Sequence, residues 1–548
     1  MSEQATTTDA GQTSPMTTTQ RWTMLAAILG SGVVFLDGTI VNVALKRIGE
    51  LPSTIFGTLE GQTYVTSGYL ATLAALLVLA GALADYYGRR RVFAIGLVGF
   101  GVTSLLCGLA PTLEILVLAR VLQGATGALL VPGSIAVITA LFDGPMRARA
   151  FGIWAAATSA VTPIGVLLGG TLVDTIGWRA AFLINIPLIG IALFATIRHM
   201  PETRDEQASG RFDWLGAALA IVAVGGIAFG TIRSQQQQWR DPGAIAAILI
   251  GVVALIAFPI VMARRKYTLV PLSLFRIRSF AVINLATLLI YAALYGILGF
   301  QPLFLQGVIG YSATAAGITG LPVGILLAVF STRVGTVAGR IGARRFLVTG
   351  PLLMAAGYIW YARIPSTSAP WDARLTDVGS LIPPTSVLVD IVPSVLLIGV
   401  GISLVVAPLT ATLMSSVPVR NAGLASAINN AISRVGQPIL AALIFVVVSG
   451  AFYASLGTVA GVDASDPALR SSVQPLNPPG PQVPEAIAAA ARIASTDAFH
   501  LAAIVGATLL VAGALTSWFG LRPSGQTTTV GATRESDRRA TPAASGPG

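Results

Sequence analysis

The sequence predicts an all-α polytopic membrane protein with fourteen transmembrane helices. Three observations carry that prediction. The chain of 548 residues is 54% hydrophobic and only 10% charged, with a mean hydropathy of +0.78; a soluble domain carries about 25% charged residues. Its apolar residues fall in long continuous runs rather than the short alternating segments of a barrel. Its basic residues gather in the intervals between those runs. The same composition excludes an ordinary soluble enzyme. It also excludes a disordered chain, which would be poor in apolar residues.

A transmembrane helix needs about 20 mostly apolar residues. Fourteen stretches fit: 22–45, 61–84, 92–110, 113–141, 149–172, 179–198, 213–232, 243–262, 279–304, 313–332, 346–363, 387–413, 421–450 and 497–519. The first twenty residues are polar and lack a basic n-region with a small-residue cleavage site, so the first span reads as an uncleaved anchor. The intervals 364–386 and 451–496 are long and rich in Pro, Ser, Ala and Asp, and the tail after Arg522 is polar. No chemistry is expected of these three regions.

Orientation follows from the basic residues. With both termini cytoplasmic, 23 of the 34 Lys and Arg residues fall on the inner side, including Arg89, Arg90 and Arg91, and nine on the outer side. That bias favours this orientation and an even number of spans. It also accounts for the net charge of +11 without nucleic acid, since the charges form short clusters rather than one soluble face. One cysteine, Cys107, excludes a disulfide framework, and two histidines exclude a multi-histidine metal centre. The two lysines, Lys46 and Lys266, stand in no Gly-x-x-x-x-Gly-Lys-Ser/Thr phosphate loop. No metal or cofactor is expected, and energy must come from an ion gradient or from the substrate's own. Thirty-two arginines against two lysines associate the chain with a GC-rich bacterial source.

The chain also repeats itself. The segment after the second span runs from Gly81 through Asp85, Gly88, Arg89, Arg90 and Arg91. The segment after the tenth runs from Gly335 through Gly339 and Gly342 to Arg344 and Arg345. The glycines are seven apart in both, and a basic cluster follows each. Two-halved secondary transporters carry such internal repeats. Asp85 aligns with Gly339, so only the first copy keeps its acid.

With these residues in view, the sequence resembles the major facilitator superfamily, and within it the fourteen-span drug:proton antiporter branch. Gly81–Val92 is similar to the superfamily's signature loop. Leu36–Leu45 resembles the branch's first-span motif, and Arg120-Val-Leu-Gln123-Gly124 its fourth-span motif. Trp178–Pro187 and Arg211–Gly216 are similar to further landmarks. The resemblance covers residues 22–519. It implies the major facilitator fold: a six-helix bundle over 22–198, two extra helices within a linker over 199–278, and a second six-helix bundle over 279–519. Residues 1–21 and 520–548 would be disordered cytoplasmic tails. It further implies a multi-pass plasma-membrane antiporter that exports hydrophobic or amphipathic drugs by alternating access. Its partners would be a small-molecule substrate, protons and the lipid bilayer, with no nucleic acid. Export of one endogenous lipid or secondary metabolite is the alternative; a non-transporting scaffold is an alternative of another class.

Two positions depart from the pattern. Lys46 stands where the first-span motif ends in proline. In the fifth-span antiporter motif, Pro163, Gly165, Gly169 and Gly170 are present, but Val166 replaces the proline of the usual Gly-Pro pair. Pro163 offers a kink three residues earlier.

Ionisable groups inside spans are costly and therefore functional candidates. Asp37 lies eight residues from the outer end of span one, or about 12 Å at helical rise. Arg120 lies seven residues from the outer end of span four, or about 10 Å. At similar depth, the acid can trade a proton for an ion pair while the arginine stays charged. They are candidates for proton coupling; a structural ion pair is the alternative. By resemblance, Gly81, Asp85, Gly88, Arg89 and Arg90 form a conformational switch loop. Tyr291 and Tyr295, four apart, share one face of span nine. By resemblance span nine lines the cavity of the second bundle, so with Asn42, Gln123 and Arg434 they are candidates for a substrate cavity suited to flat amphipathic molecules; lipid-facing or interfacial aromatics, and a packing role for Arg434, are the alternatives.

Overall fold

A computed structural model describes residues 16–142, 144–204, 212–265, 268, 270–417 and 422–521. Fourteen long helical segments stand where the fourteen apolar stretches predict them. They are α1 Thr18–Ile48, α2 Thr58–Tyr87, α3 Arg89–Leu109, α4 Leu113–Leu141, α5 Gly144–Thr175, α6 Ala180–His199, α7 Trp214–Gln236, α8 Pro242–Arg264, α9 Arg278–Phe304, α10 Ala313–Ile341, α11 Ala343–Tyr361, α12 Val392–Ser415, α13 Ala422–Ala460 and α14 Glu485–Gly520. Among the described residues twelve of them are long and apolar enough to cross a membrane. The described residues form no β-strand; one isolated bridge joins Arg374 and Asp377.

Local chemistry sets the helix starts. Thr17 and Gln20 form a capping box at α1, each side chain taking a backbone N–H of the other. Ser312 caps α10, and Asp241 followed by Pro242 opens α8. The pairing of helices shows the internal repeat more fully than the sequence does. Helix α1 packs on α5 and α6, α2 on α4, and α3 on α4 and α6. In the same pattern α9 packs on α13 and α14, α10 on α12, and α11 on α12 and α14. The two sets meet along α5 with α10 and along α2 with α13, which are again equivalent pairs.

The two loops that carry the sequence repeat also share a backbone conformation. Gly88 has φ 107° and ψ 131°, and Gly342 has φ 95° and ψ 134°, a region in which a side chain would be strained. Two residues after each glycine, an arginine reaches the end of the last helix of its own set. Arg90 donates to the Ile197 carbonyl of α6 at 2.6 Å, and Arg344 lies 4.5 Å from the Trp518 ring of α14.

Helices α7 and α8 pair with each other, and α7 leans on α2 and α13. A fully buried acid fixes it there. Glu60, in the first turn of α2, meets Arg233 at the end of α7 at 3.3 Å, and Tyr64 donates to the Phe229 carbonyl at 2.8 Å. The long interval 451–496 is more ordered than its composition suggests. Helix α13 continues to Ala460, α14 begins at Glu485, and Val473 and Leu476 between them are fully buried.

Candidate functional site

Asp37 and Arg120 meet as predicted. The Arg120 guanidinium donates to Asp37 Oδ2 in a salt bridge from which both side chains are screened, at 0% and 1% exposure. Four helices build the surroundings. Gln123, one turn along α4 from Arg120, donates to Asp37 Oδ1 at 3.1 Å and accepts from Arg120 at 2.7 Å. Asn185 of α6 also donates to Asp37 Oδ1, at 3.3 Å, and Ser104 of α3 accepts from both amides, at 2.8 Å and 3.0 Å. Arg120 Nε donates to the Val65 carbonyl of α2 at 3.0 Å, and its guanidinium stands 4.0 Å from the Tyr69 ring. Such a pair repays its desolvation only when its remaining donors and acceptors are used, and here both carboxylate oxygens have partners.

Gln123, expected in a substrate cavity, lies instead in this network and lines neither of the two cavities described below. Sequence reasoning did not single out Asn185 or Ser104. Asn185 carried the available signal, an amide inside an apolar stretch, where a polar group needs partners.

A cavity of about 430 Å³ lies between the two sets of helices. Tyr291, Tyr295, Asn42 and Arg434 all line it, so four of the five predicted cavity residues come together. The two tyrosine rings lie 5.9 Å apart and tilted by 32°. A smaller pocket of about 130 Å³ shares Asn42, Tyr295 and Arg434 with it, and Arg120 lines that pocket with Asp37 behind it. The large cavity extends to Leu413 and Ser426, toward the end of the molecule at which α1 starts and α14 finishes.

Hydrogen bonds between the two sets cluster at the opposite end. Lys46, the departure from the first-span motif, donates to the Gln306 carbonyl at 2.9 Å, and the Gln306 amide returns to the Val43 carbonyl at 3.0 Å. Gln62 and Asn477 exchange amide hydrogen bonds at 2.9 Å and 3.1 Å. Asp174 at the end of α5 accepts from the Thr314 backbone and hydroxyl, both at 2.7 Å, so its carboxylate sits at the N-terminus of α10.

The predicted antiporter-motif glycines explain how α5 reaches both neighbours. A Cβ on Gly169 would stand 3.1 Å from the Ile40 Cα of α1. One on Gly170 would stand 2.7 Å from the Thr314 Cα of α10. Gly165 likewise faces Leu36, 3.1 Å from that position. The side chains of Pro163 and Val166 lie outside those that the structure describes. In the predicted switch loop, Asp85 pairs with Arg89 at 2.8 Å, and Glu202 accepts from the Arg90 backbone at 3.1 Å. Arg91 lies 3.6 Å from Glu202. These contacts tie the loop to the segment that follows α6. Gly81 is uncrowded, its nearest neighbour on that side being Pro132 at 3.9 Å.

Two equivalent six-helix sets around a central cavity, closed at one end and carrying a buried ion pair in one set, define a transporter of small molecules and not an enzyme. The family follows from comparison with known proteins. The chain belongs to the Major Facilitator Superfamily, whose model matches residues 27–441. It is 35% identical over 425 residues to the multidrug resistance protein Stp of Mycobacterium tuberculosis, covering 77% of this chain and 75% of that one. It is 33% identical over 448 residues to the puromycin resistance protein pur8 of Streptomyces alboniger, covering 80% and 84%. It is 31% identical over 414 residues to the tetracenomycin C resistance and export protein of Streptomyces glaucescens, covering 76% and 73%. In structure it is similar to a bacterial homologue of the human lysosomal transporter Spinster in an inward-facing, unoccupied conformation. The TM-score is 0.62 at 17% identity, over 92% of this chain and 98% of that one. That likeness is one of fold.

Proposed function

We propose that the protein is a proton-driven antiporter that exports hydrophobic or amphipathic drugs by alternating access, in the plasma membrane of a bacterium. Residues 22–198 and 279–519 are its two bundles, and 199–278 is the linker that carries α7 and α8. Helices α5 and α11 complete fourteen spans, and both termini are cytoplasmic. The end sealed by Lys46, Asp174 and Asn477 is then the outer one, and the conformation described is inward-facing.

The observation that carries this reading is the Asp37–Arg120 pair, buried in the first bundle with Arg120 alone at the pocket wall. Protonating Asp37 neutralises it and removes the one anionic partner of Arg120 among the described residues. Arg120 stays charged at any accessible pH, so the proton's arrival changes the charge that the pocket presents. Substrate and proton can then compete for one conformational cycle without touching each other. The switch loop at Asp85 and the close α1–α5–α10 packing at Gly165, Gly169 and Gly170 are the moving parts. The relatives named for drug resistance support a drug as cargo, and the one named as an export protein for tetracenomycin C supports a single secondary metabolite as a second reading.

The test is uptake into energised inverted vesicles with a panel of dyes and drugs. Accumulation that an uncoupler abolishes is expected. Accumulation that is indifferent to the uncoupler would remove the proton from the mechanism.

A further inference from the structure

The large cavity has a charge inventory that its composition alone does not reveal. No Asp or Glu lines it or the smaller pocket among the described residues. The nearest acid by sequence in the second set, Asp390, lies before α12 and accepts from Ser368 at 2.8 Å, away from the cavity wall. Asp37 is enclosed behind Arg120, with Gln123 and Asn185 on its second oxygen. Arg434 is different. It lines both cavities, and among the described residues it makes no hydrogen bond or ion pair. Among the described residues its one polar contact is with the face of the Phe35 ring, whose centroid lies 5.5 Å from the guanidinium carbon. Three residues further along the same face of α13, the Gln437 side-chain carbonyl is buried without a partner and also lines both cavities. Its neighbours do not supply a counter-charge: Asn429 donates to Asn284 and Thr287, at 3.1 Å and 2.9 Å, and Asn430 and Ser433 bond back to their own helix.

Arg434 is half-buried at the cavity wall and, among the described residues, has no anionic partner, so its fork of donors is open to a ligand. Guanidinium is also the side chain best shaped to take a carboxylate or similar oxyanion through two parallel bonds. Beside it, Tyr291 and Tyr295 offer faces for a flat apolar body, and Gln437 offers an acceptor for a hydroxyl or N–H. We infer that the cavity selects planar amphipathic monoanions, with Arg434 binding the anionic group. This rests on the reading of the cavity as the substrate site and names the substrate class it favours. A divalent cation is the poorest fit, and a neutral analogue lies between.

The test measures equilibrium binding to the purified full-length protein in nanodiscs of neutral lipid. The probes are three anthracenes carrying a carboxylate, a hydroxymethyl or a trimethylammonium group at the same ring position. Wild-type protein is expected to bind the carboxylate at least about tenfold more tightly than the ammonium analogue, equivalent to about 1.4 kcal/mol. Arg434→Gln should abolish that preference while still binding the neutral probe, which shows that the cavity is intact. Arg434→Lys should keep part of it. Equal or tighter binding of the ammonium probe by wild type, or an unchanged preference in Arg434→Gln, would overturn the inference. Because binding needs no gradient, it is separable from the export reading, which fails only if energised vesicles move no probe uphill.

Discussion

Lys46 and Gln306 form a two-way clasp across the seam between the two bundles: the ammonium takes the Gln306 carbonyl at 2.9 Å while the Gln306 amide takes the Val43 carbonyl at 3.0 Å. A proline at position 46 could supply no such donor. The departure from the family's motif therefore coincides with a contact that holds one end of the cavity shut.

Replacing Lys46 by methionine should loosen that end. One hydrogen bond is worth about 1 kcal/mol, so the balance between the two conformations should move about fivefold toward opening at the Lys46 end. The measurement is the labelling rate of a cysteine at position 42, in a Cys107→Ser background, by a membrane-impermeant thiol reagent added on that side. A rate equal to that of the parent would show that the clasp has no role in gating.

Asp37→Asn should insert normally and lose uphill, gradient-driven export. It should also lower thermal stability, since Arg120 is left buried with an uncharged partner; breaking one side of such a pair costs about 3–5 kcal/mol. Downhill flux separates the two effects. A variant that still concentrates substrate like wild type would exclude Asp37 from coupling.

Asp85→Ala should behave in the opposite way. Its pair with Arg89 is a partly exposed contact across the Gly88 turn, worth about 0.2–1 kcal/mol, so the melting temperature should hardly change. Turnover should fall while substrate affinity is kept. Wild-type turnover in this variant would reduce the loop to a topology anchor.

Gly170→Val should force α5 away from α10, because even a Cβ there would lie 2.7 Å from the Thr314 Cα. Overpacking of this kind costs about 1–3 kcal/mol. Export should fall and thiol labelling from the Lys46 side should rise. Unaltered export would mean that the seam tolerates wider spacing than its geometry indicates.

How much of this was legible beforehand depended on how local the signal was. Asp37 and Arg120 could be matched by counting residues from a span boundary, because helical rise turns sequence distance into depth. Tyr291 and Tyr295 could be placed together by their spacing. Gln123 was read toward the cavity because its face relative to Arg120 depends on how α4 is rotated, which neighbouring helices decide. Glu60 and Arg233 were missed as a pair: each looked like an ordinary charge at a span end, and 173 residues separate them. The segment around Asn477 was missed for the same reason. Its composition is that of a loop, and its burial comes from Gln62, 415 positions away.

That last contact has a pharmacological consequence. The buried Gln62–Asn477 pair joins a transmembrane helix to an interhelical segment on the proposed extracellular side, whose exposed flanks large hydrophilic molecules can reach. Residues 473–477 are themselves buried, but an antibody fragment that clamped the exposed residues flanking them, Ser471, Ser472 and Pro478, would arrest the exporter without entering the cell. Because such a fragment would compete with neither proton nor cargo, its potency would be the same for every compound the pump expels, and no change of substrate would restore the cell's resistance.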